Sequence, residues 1–596
     1  MARRESLGVR TWAAATAVVA GLVAAGLAVL VSPTLGAGSD HRSPRAATTL
    51  SVPADGPRRV TPVGDPAARA RFGPKPNVVV VMTDDMRADD LRFMPTVRRE
   101  LRQGGVEFRN SFSPNPLCCP ARASFLSGQL SHNHGVISQV PPWGFPAFRD
   151  HGTIATALRR SGYRTALVGK YLNGYGELRR RNGEPSLHYV PPGWTDWYAA
   201  FGPPPSSRMP GGTYNYLDQP INHDGRIEQH RGQYSTVTTG TIATRLVDRY
   251  SRSRDPFFMY LAFVAPHFGT PHEPDDPTYT EPDGVRQPLG TPYVPAWVRG
   301  RFDRMLTKAP GFGGDADPSE TDISDKPPFM RNRPEPNGSM EAATLESARQ
   351  RAESLYVVDR QVARLVHELK QRGEWQRTVL FLTSDNGFFL GEHRHLKGKI
   401  KPYEPSTRVP LLVTGPGLRS GTTRSDPVTT VDLTATILEL GRAIPYLTSD
   451  HPLDGTSRLT TLLDGDQGWR APVVTEGRLW QENDRRVRRA NGFHTGLSYA
   501  GLRTPRYAYM RYDRGYEELY DLREDANEMV NRIEDPMYAD VVARLRRLWT
   551  EYHECAGPQC RRDLPRWLRA GPDANAELTS TFWAQVAERS AATLTR

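Results

Sequence analysis

The chain has 596 residues, 38% hydrophobic and 9% aromatic, which is enough for a large core and excludes a wholly disordered polymer. Its 77 Lys and Arg exceed its 66 Asp and Glu, and the net charge of +11 suits nucleic acid, a membrane surface or an anionic substrate. The arginines are scattered and no nucleic-acid motif accompanies them, which sets nucleic acid aside as a partner, and four Cys are too few for a disulfide framework.

Arg3, Arg4 and Arg10 precede an uncharged run from Trp12 to Val31. A basic segment followed by an apolar one is the pattern of an export signal. The run is also long enough, at about 20 residues, to span a bilayer. Residues 1–35 are therefore read as a signal peptide or an uncleaved signal anchor, and a membrane is a partner only in the second case. Residues 36–74 are rich in Pro, Ala, Gly, Ser and Arg without periodicity and read as a disordered linker.

The folded part opens at Asn77–Met82, a continuous apolar run that fits a strand buried on both faces of a largely parallel sheet. Thr83-Asp84-Asp85 follows at the strand's carboxyl end, the edge where open α/β sheets place ligands. Two adjacent carboxylates there repel each other unless a cation lies between them, although a turn with an Asx cap uses the same residues. Next comes Leu117-Cys118-Cys119-Pro120-Ala121-Arg122, which reads as a Cys at the start of a helix. Pro120 suits the first helical position, Phe125 and Leu126 face a core, and Gly128 stops the helix. Residue 118 then sits where a helix N-terminus welcomes an anion, with Arg122 one turn along. Two buried thiols in a core helix are the plainer alternative.

Thr165–Lys170 and Phe257–Phe263 read as further strands, the second running into Val264-Ala265-Pro266-His267. From Thr270 to Met340 the chain is rich in Pro, Gly and Asp, a long loop expected to cover one side of a pocket. Glu341–Arg372 reads as an amphipathic helix ending at Gly373. Thr378–Ser384 is another buried-strand run, and it ends in Asp385-Asn386-Gly387. Two strands of one sheet ending in Asp-Asp and Asp-Asn would bring four oxygen donors together, a set suited to a hard cation. Arg408–Val413 reads as another strand, and Arg506–Tyr512 alternates like a half-exposed antiparallel one. Cys555 and Cys560 flank a Gly-Pro turn that could bring their sulfurs together in a local disulfide, as an exported protein permits.

Cys118-Cys119-Pro120-Ala121-Arg122, followed by Leu126-Ser127-Gly128, resembles the sulfatase signature, Cys-x-Pro-x-Arg with a later Leu-Ser/Thr-Gly. Ala121 departs from the Ser more usual in the family. The likeness extends over almost all of residues 75–565. It is nearest to N-acetylglucosamine-6-sulfatases, through Cys-Cys-Pro, His132-Asn133-His134, Gly169-Lys170-Tyr171-Leu172-Asn173 and the Cys-x-Gly-Pro-x-Cys at 555–560.

The resemblance implies an α/β fold with a large central mixed, mostly parallel sheet flanked by helices, of the alkaline-phosphatase-like kind. The catalytic domain would span 75–465, with a smaller C-terminal α+β subdomain at 466–596. It implies that Cys118 is oxidised to formylglycine by a formylglycine-generating enzyme, and that the aldehyde hydrate is the nucleophile. Asp84, Asp85, Asp385 and Asn386 would bind a metal that the residue at 118 touches; the family favours Ca²⁺, and Mg²⁺ also fits the residues.

Arg122, Lys170 and Lys399 would neutralise the sulfate, and Lys399 would hold it or protonate the leaving oxygen. The family's Lys four residues before Tyr403-Glu404 selects Lys399 over Lys397. His267 would hydrogen-bond the ester oxygen or sulfate. Where many members carry a His this chain has Leu172, so either Asn173 supplies that hydrogen bond or none is needed. His272 is a weaker competitor for the role of His267, and His132 and His134 are read as structural.

The implied function is hydrolysis of a carbohydrate sulfate ester, N-acetylglucosamine-6-sulfate-like, by an exported enzyme. Two alternatives stay open: a phosphodiesterase or phosphonate monoester hydrolase of the same superfamily, and a non-catalytic binder of sulfated glycans with Cys118 unmodified.

Overall fold

The computed structural model describes residues 58–312, 319–448, 450–479 and 497–591. The expected export signal, with its apolar run, lies outside them. No helix among the described residues is long and apolar enough to cross a membrane.

The strands in chain order are β1 (Asn77–Thr83), β2 (Val106–Phe112), β3 (Arg164–Lys170), β4 (Asp196–Ala200), β5 (Asp218–His223), β6 (Arg226–Arg231) and β7 (Phe257–Ala262). There follow β8 (Thr278–Thr280), β9 (Arg286–Pro288), β10 (Thr378–Ser384), β11 (Leu411–Thr414) and β12 (Thr422–Thr429). Last come β13 (Val473–Leu479), β14 (Leu497–Arg503), β15 (Tyr507–Tyr512) and β16 (Glu517–Asp521). Ten of them form one mixed sheet in the order β12-β2-β11-β10-β1-β7-β3-β4-β5-β6. Its centre, β10-β1-β7-β3-β4, is parallel throughout, while β11 runs antiparallel between β2 and β10.

The apolar runs are buried because each face of the central strands meets a helical layer. Val78, Val80, Met82 and Phe381 point into one core with Phe125, Leu126, Leu433 and Ile437. Val79, Val81, Leu380 and Leu382 point into the other with Ile242, Leu246, Leu355 and Val362. The first layer is built by the helices Cys118–Ser127 and Thr430–Leu440, the second by Ser235–Tyr250 and Gly338–Gln371. Alternation along each strand sends successive side chains to opposite faces, so a sheet covered twice needs uninterrupted apolar strands.

Four further strands form a small antiparallel sheet, β13-β14-β15-β16, packed on the helix Ala539–Tyr552. Cys555 and Cys560 are joined in a disulfide beyond that helix. The last helix, Pro572–Ala591, returns to the large sheet, where Asn575 donates to the Ser425 carbonyl at 2.7 Å and Thr579 Oγ1 accepts from Asn110 at 2.7 Å.

Three local expectations are corrected. Residues 58–74, within the expected linker, are ordered: Asp65 caps a short helix, Pro66–Arg71, Arg71 pairs with Asp464 at 2.6 Å, and Val60 bridges to Arg562. The composition is linker-like, but these tertiary partners hold the segment. The helix carrying Cys118 begins at Cys118, so Pro120 stands third rather than first. Any of the first-turn positions suits Pro, since none of their N–H groups has an intrahelical acceptor. The expected strand 408–413 starts only at Leu411, because Arg408 is drawn to Glu404 and the carbonyl of Arg109. Within the long loop 270–340, β8 and β9 form a two-stranded hairpin.

Candidate active site

The register of β1 and β10 creates the site. The two strands pair in parallel from Asn77 opposite Thr378 to Thr83 opposite Ser384, so the residues that follow them leave the sheet side by side. Asp84-Asp85 and Asp385-Asn386, about 300 positions apart in sequence, are thereby in contact. The Asp85 N–H donates to Asp385 Oδ1 at 3.2 Å, and Asn386 Nδ2 donates to Asp85 Oδ1 at 2.7 Å. Asp85 adopts φ +73°, a left-handed conformation that Asp tolerates better than most residues and that turns the chain at the strand end. On the other side of β1, β7 leads to His267; beyond β7, β3 ends in Lys170. Four neighbouring strand ends supply most of the centre.

The helix Cys118–Ser127 brings the rest. Cys118, fully buried, donates to Asp84 Oδ1 at 3.3 Å. One turn on, Arg122 is equally buried: its Nε donates to Asp385 Oδ2 at 2.8 Å and its Nη1 to the Lys170 carbonyl at 3.0 Å and the Tyr260 hydroxyl at 3.3 Å. Gly128 ends the helix at φ +70°, and a Cβ there would strike Leu453. Lys399 reaches in from the segment after β10, its Nζ 3.0 Å from Cys118 Sγ and in contact with Asp85. Lys170 pairs with Asp84.

Charge is densely compensated here. Burial would raise the Asp84 carboxyl, but the ammonium of Lys170, with His267, Arg122 and Lys399, holds it well below the usual carboxylate range. Asp385 goes the other way, to about 6, because burial and the Asp84 charge outweigh Arg122. Burial also pulls on Lys399 and Lys170, yet Asp85 and Asp84 respectively keep both ammoniums charged well above their ordinary range. Burial and then the Asp84 charge push the Cys118 thiol up.

His267 is brought down to about 4 by burial and the nearby Lys399. Its Nδ1 lies 2.6 Å from the Phe268 carbonyl, which only accepts, so Nδ1 carries the proton and Nε2 faces Asp85 Oδ2 at 3.7 Å.

Asp84, Asp85, Cys118 and His267 offer ligand atoms within 4.8 Å of one another. Among the described residues, no hydrogen-bond partner meets the buried acceptors Asp85 Oδ2 and Asn386 Oδ1. Orphaned acceptors of this kind are costly unless a cation or water meets them. With the carboxylates of Asp84 and Asp385 beside them, they form an all-oxygen set that fits a hard divalent ion.

The expected residues therefore meet, with one qualification of place: Asn173 donates to the Tyr214 hydroxyl at 2.6 Å, and its carbonyl accepts from Cys119 Sγ at 3.8 Å, so it stands beside the centre. His272 pairs with Asp276 on the exposed loop. His132 bonds Glu476 and the Cys555 carbonyl, both at 2.7 Å, and His134 bonds Ser124 at 2.9 Å. Sequence reasoning missed Tyr214, whose ring lies under Lys170 at 4.8 Å and stacks on His267 at 4.4 Å. It also missed Arg351, which donates to the Pro266 carbonyl at 3.2 Å and to the Asp85 carbonyl. Tyr260 had a signal, a polar tip inside an apolar strand; the other two had none.

Residues 76–443 match the sulfatase family model, well over half of the chain. The chain belongs to the sulfatase family. It is thus a sulfuric ester hydrolase by family, and sulfatases generally use formylglycine and a divalent metal. Residues 391–554 match the C-terminal region of N-sulphoglucosamine sulphohydrolase. The human N-acetylglucosamine-6-sulfatase is 28% identical over 524 residues, covering 82% of this chain and 86% of the relative. An extracellular sulfatase SULF-1 homolog from Drosophila melanogaster is 31% identical over 409 residues, 66% of this chain, which spans only 32% of that relative's length.

Among solved structures, one in complex with its substrate D-glucosamine-2-N,6-O-disulfate matches with a TM-score of 0.58 at 21% identity, covering 80% of this chain and 97% of the other. A phosphonate monoester hydrolase from Silicibacter pomeroyi matches at 0.54 and 21%, covering 80% and 94%. At these identities the two structures report the shared fold.

Proposed function

We propose that this sulfatase hydrolyses a sulfate ester on a carbohydrate, with 6-sulfated N-acetylglucosamine as the first substrate to test, using formylglycine made from Cys118 and a Ca²⁺ ion. The observation that carries the reading is the meeting of Cys118, both acidic pairs and Lys399 in one buried centre. The matched N-acetylglucosamine-6-sulfatases support the sugar. Relatives called extracellular sulfatases in Drosophila melanogaster and Caenorhabditis elegans support export.

Asp84, Asp85, Asp385 and Asn386 would hold the ion, whose contribution when bound is Lewis-acid polarisation of the sulfate and acidification of a neighbouring hydroxyl. Formylglycine supplies a hydrate oxygen as nucleophile and a second hydroxyl whose loss of a proton lets sulfate leave, an exit closed to an ordinary Ser or Cys. Arg122 fixes Asp385 through Nε, and Lys170 balances Asp84, so the acidic cluster keeps one geometry while charge moves. Lys399 holds a proton within reach of the reacting position and gives it to the departing alkoxide. His267, its Nδ1–H committed to Phe268, has only Nε2 left to face the pocket, and donates from it to the sulfate or ester oxygen once that nitrogen is protonated. Burial of all these groups excludes water and strengthens each charge interaction.

The test is the mass of the peptide spanning residue 118, from protein made in its native host, followed by a substrate screen. Replacement of the thiol by an aldehyde, with turnover of glucosamine 6-sulfate, is the expected result. A thiol retained in metal-loaded protein overturns the nucleophile and favours a glycan binder. An aldehyde with faster turnover of phosphodiesters or phosphonates than of sulfates moves the substrate class.

A further inference from the structure

A hollow of about 350 Å³, lined by none of the residues of the catalytic centre, has Phe148, Arg149, Asp150, Arg180, Arg181 and Tyr189 in its wall. Three guanidinium groups and one carboxylate stand in that wall, and with Glu184 counted beside Arg180 the balance is still positive. Arg180 stacks on Tyr189, 3.7 Å from the ring centre, and pairs with Glu184 at 2.7 Å. The Asp150 carboxylate is turned to the Tyr189 hydroxyl, which donates at 2.6 Å. Arg149 and Arg181 are exposed, and among the described residues no carboxylate pairs with either. Two unpaired forks thus stand beside aromatic rings.

The hollow is tied to the catalytic centre by a short piece of chain. Phe145, also in its wall, packs edge-on against Tyr171 and Tyr175, with ring centres 6.4 and 5.9 Å apart, and Tyr171 directly follows Lys170. Arg180 stands seven positions after Asn173, which lies beside Cys119. Fully extended, that stretch would reach about 25 Å, and the positive-φ turns at Gly174 and Gly176 shorten the path. A ligand long enough to bridge that span would touch both places.

We propose that this hollow is a second anion-recognising subsite, holding a sulfated sugar unit of the same glycan chain distal to the unit whose ester is cleaved. The inference rests on the sulfated-carbohydrate reading above. Guanidinium forks match the oxygen geometry of sulfate and carboxylate, and aromatic rings accept the apolar faces of sugar rings. A concave hollow with two free forks admits a single narrow chain, whereas a duplex nucleic acid asks for a basic stripe on a protruding face.

The test compares Arg149→Ala/Arg181→Ala with the parent in two ways. In a Cys118→Ala background, where no turnover occurs, calorimetry measures binding of a heparin-derived hexasaccharide and of glucosamine 6-sulfate at several salt concentrations. Loss of two exposed charge contacts is expected to weaken hexasaccharide binding about five- to tenfold and to flatten its salt dependence, with the monosaccharide unaffected. In the mature enzyme, kcat/KM for the hexasaccharide should fall by the same factor while that for glucosamine 6-sulfate stays level. Unchanged hexasaccharide binding overturns the subsite, and so does equal displacement by duplex DNA of matched charge. If the mature parent turns over neither sulfate ester, the functional reading fails, and the binding comparison still decides the subsite.

Discussion

Lys399 Nζ lies 3.0 Å from Cys118 Sγ, although the two stand 281 positions apart. The helix N-terminus carrying the sulfur and the loop after β10 carrying the ammonium converge over the carboxyl edge of β1. That contact puts a proton donor at the reacting position. Lys399→Ala is expected to lower kcat by about 10²–10⁴, the usual worth of a positioned acid, with a smaller change in KM. Steady-state kinetics beside a thermal melt will check this. A lowered melting temperature with kcat intact would make Lys399 a mere counter-charge for Asp85.

Arg122 and Asp385 form a buried pair at 2.8 Å with both side chains shielded from solvent. Removing one partner of such a pair costs about 3–5 kcal/mol, because the other charge is stranded. Arg122→Ala should therefore show that loss in urea unfolding together with loss of turnover. Arg122→Lys should regain part of the stability but little activity, since an ammonium cannot contact Asp385, the Lys170 carbonyl and Tyr260 at once. Equal activity in the Lys variant would reduce Arg122 to a bulk charge.

The orphaned oxygens of Asp85 and Asn386 predict a metal-dependent fold as well as metal-dependent chemistry. Chelation should abolish turnover and lower the melting temperature; Ca²⁺ at about 100 times its Kd should add about 2.7 kcal/mol of stability. In Asn386→Ala the Ca²⁺-induced shift should shrink. A melting temperature indifferent to chelator in the parent protein would overturn the assignment of Asp84, Asp85, Asp385 and Asn386 to the metal.

His132 and Glu476 join the signature helix region to β13 at 2.7 Å. Burial opposes charging of His132, but the Glu476 carboxylate outweighs it and raises His132 to about 9. Glu476 is lowered, its burial outweighed by His132. A raised His contributes stability that is whole below its unfolded pKa, near 6.5, and is lost as pH climbs through 9. The lowered Glu adds stability that is whole above its unfolded value and is lost in acid. Unfolding free energy should thus drop by roughly 2–3 kcal/mol between pH 6.5 and 9.5, and His132→Gln should flatten that limb. A parallel slope in the variant would place the titration elsewhere.

The fold was legible wherever a run of apolar residues ended in a cluster of polar ones. Val78–Met82 and Val379–Leu382 announce doubly covered strands by composition alone, since a strand packed on both faces has no polar position to spare. The helix expected over 341–372 from its periodicity and terminal Gly373, which has φ +72°, is observed at Gly338–Gln371, starting three residues earlier where Asn337 caps it. The ordered stretch 58–74 was not legible, because its anchors, Asp464 and Arg562, lie hundreds of residues away.

Short stretches of the chain already carried the chemistry available: a Cys at a helix start, two acidic pairs behind strands, and cations of the right kind. Motif spacing could do this because each of those features is local, set by a few neighbouring residues. Which of these groups touch one another was left to folding. The parallel register of β1 with β10 put Asp85 against Asn386, and burial turned Arg122 toward Asp385. The same folding brought Tyr214 under Lys170 and left Arg149 and Arg181, among the described residues, without a carboxylate partner beside a hollow. Such contacts come from strand order and packing, which many distant residues fix together and no short stretch encodes.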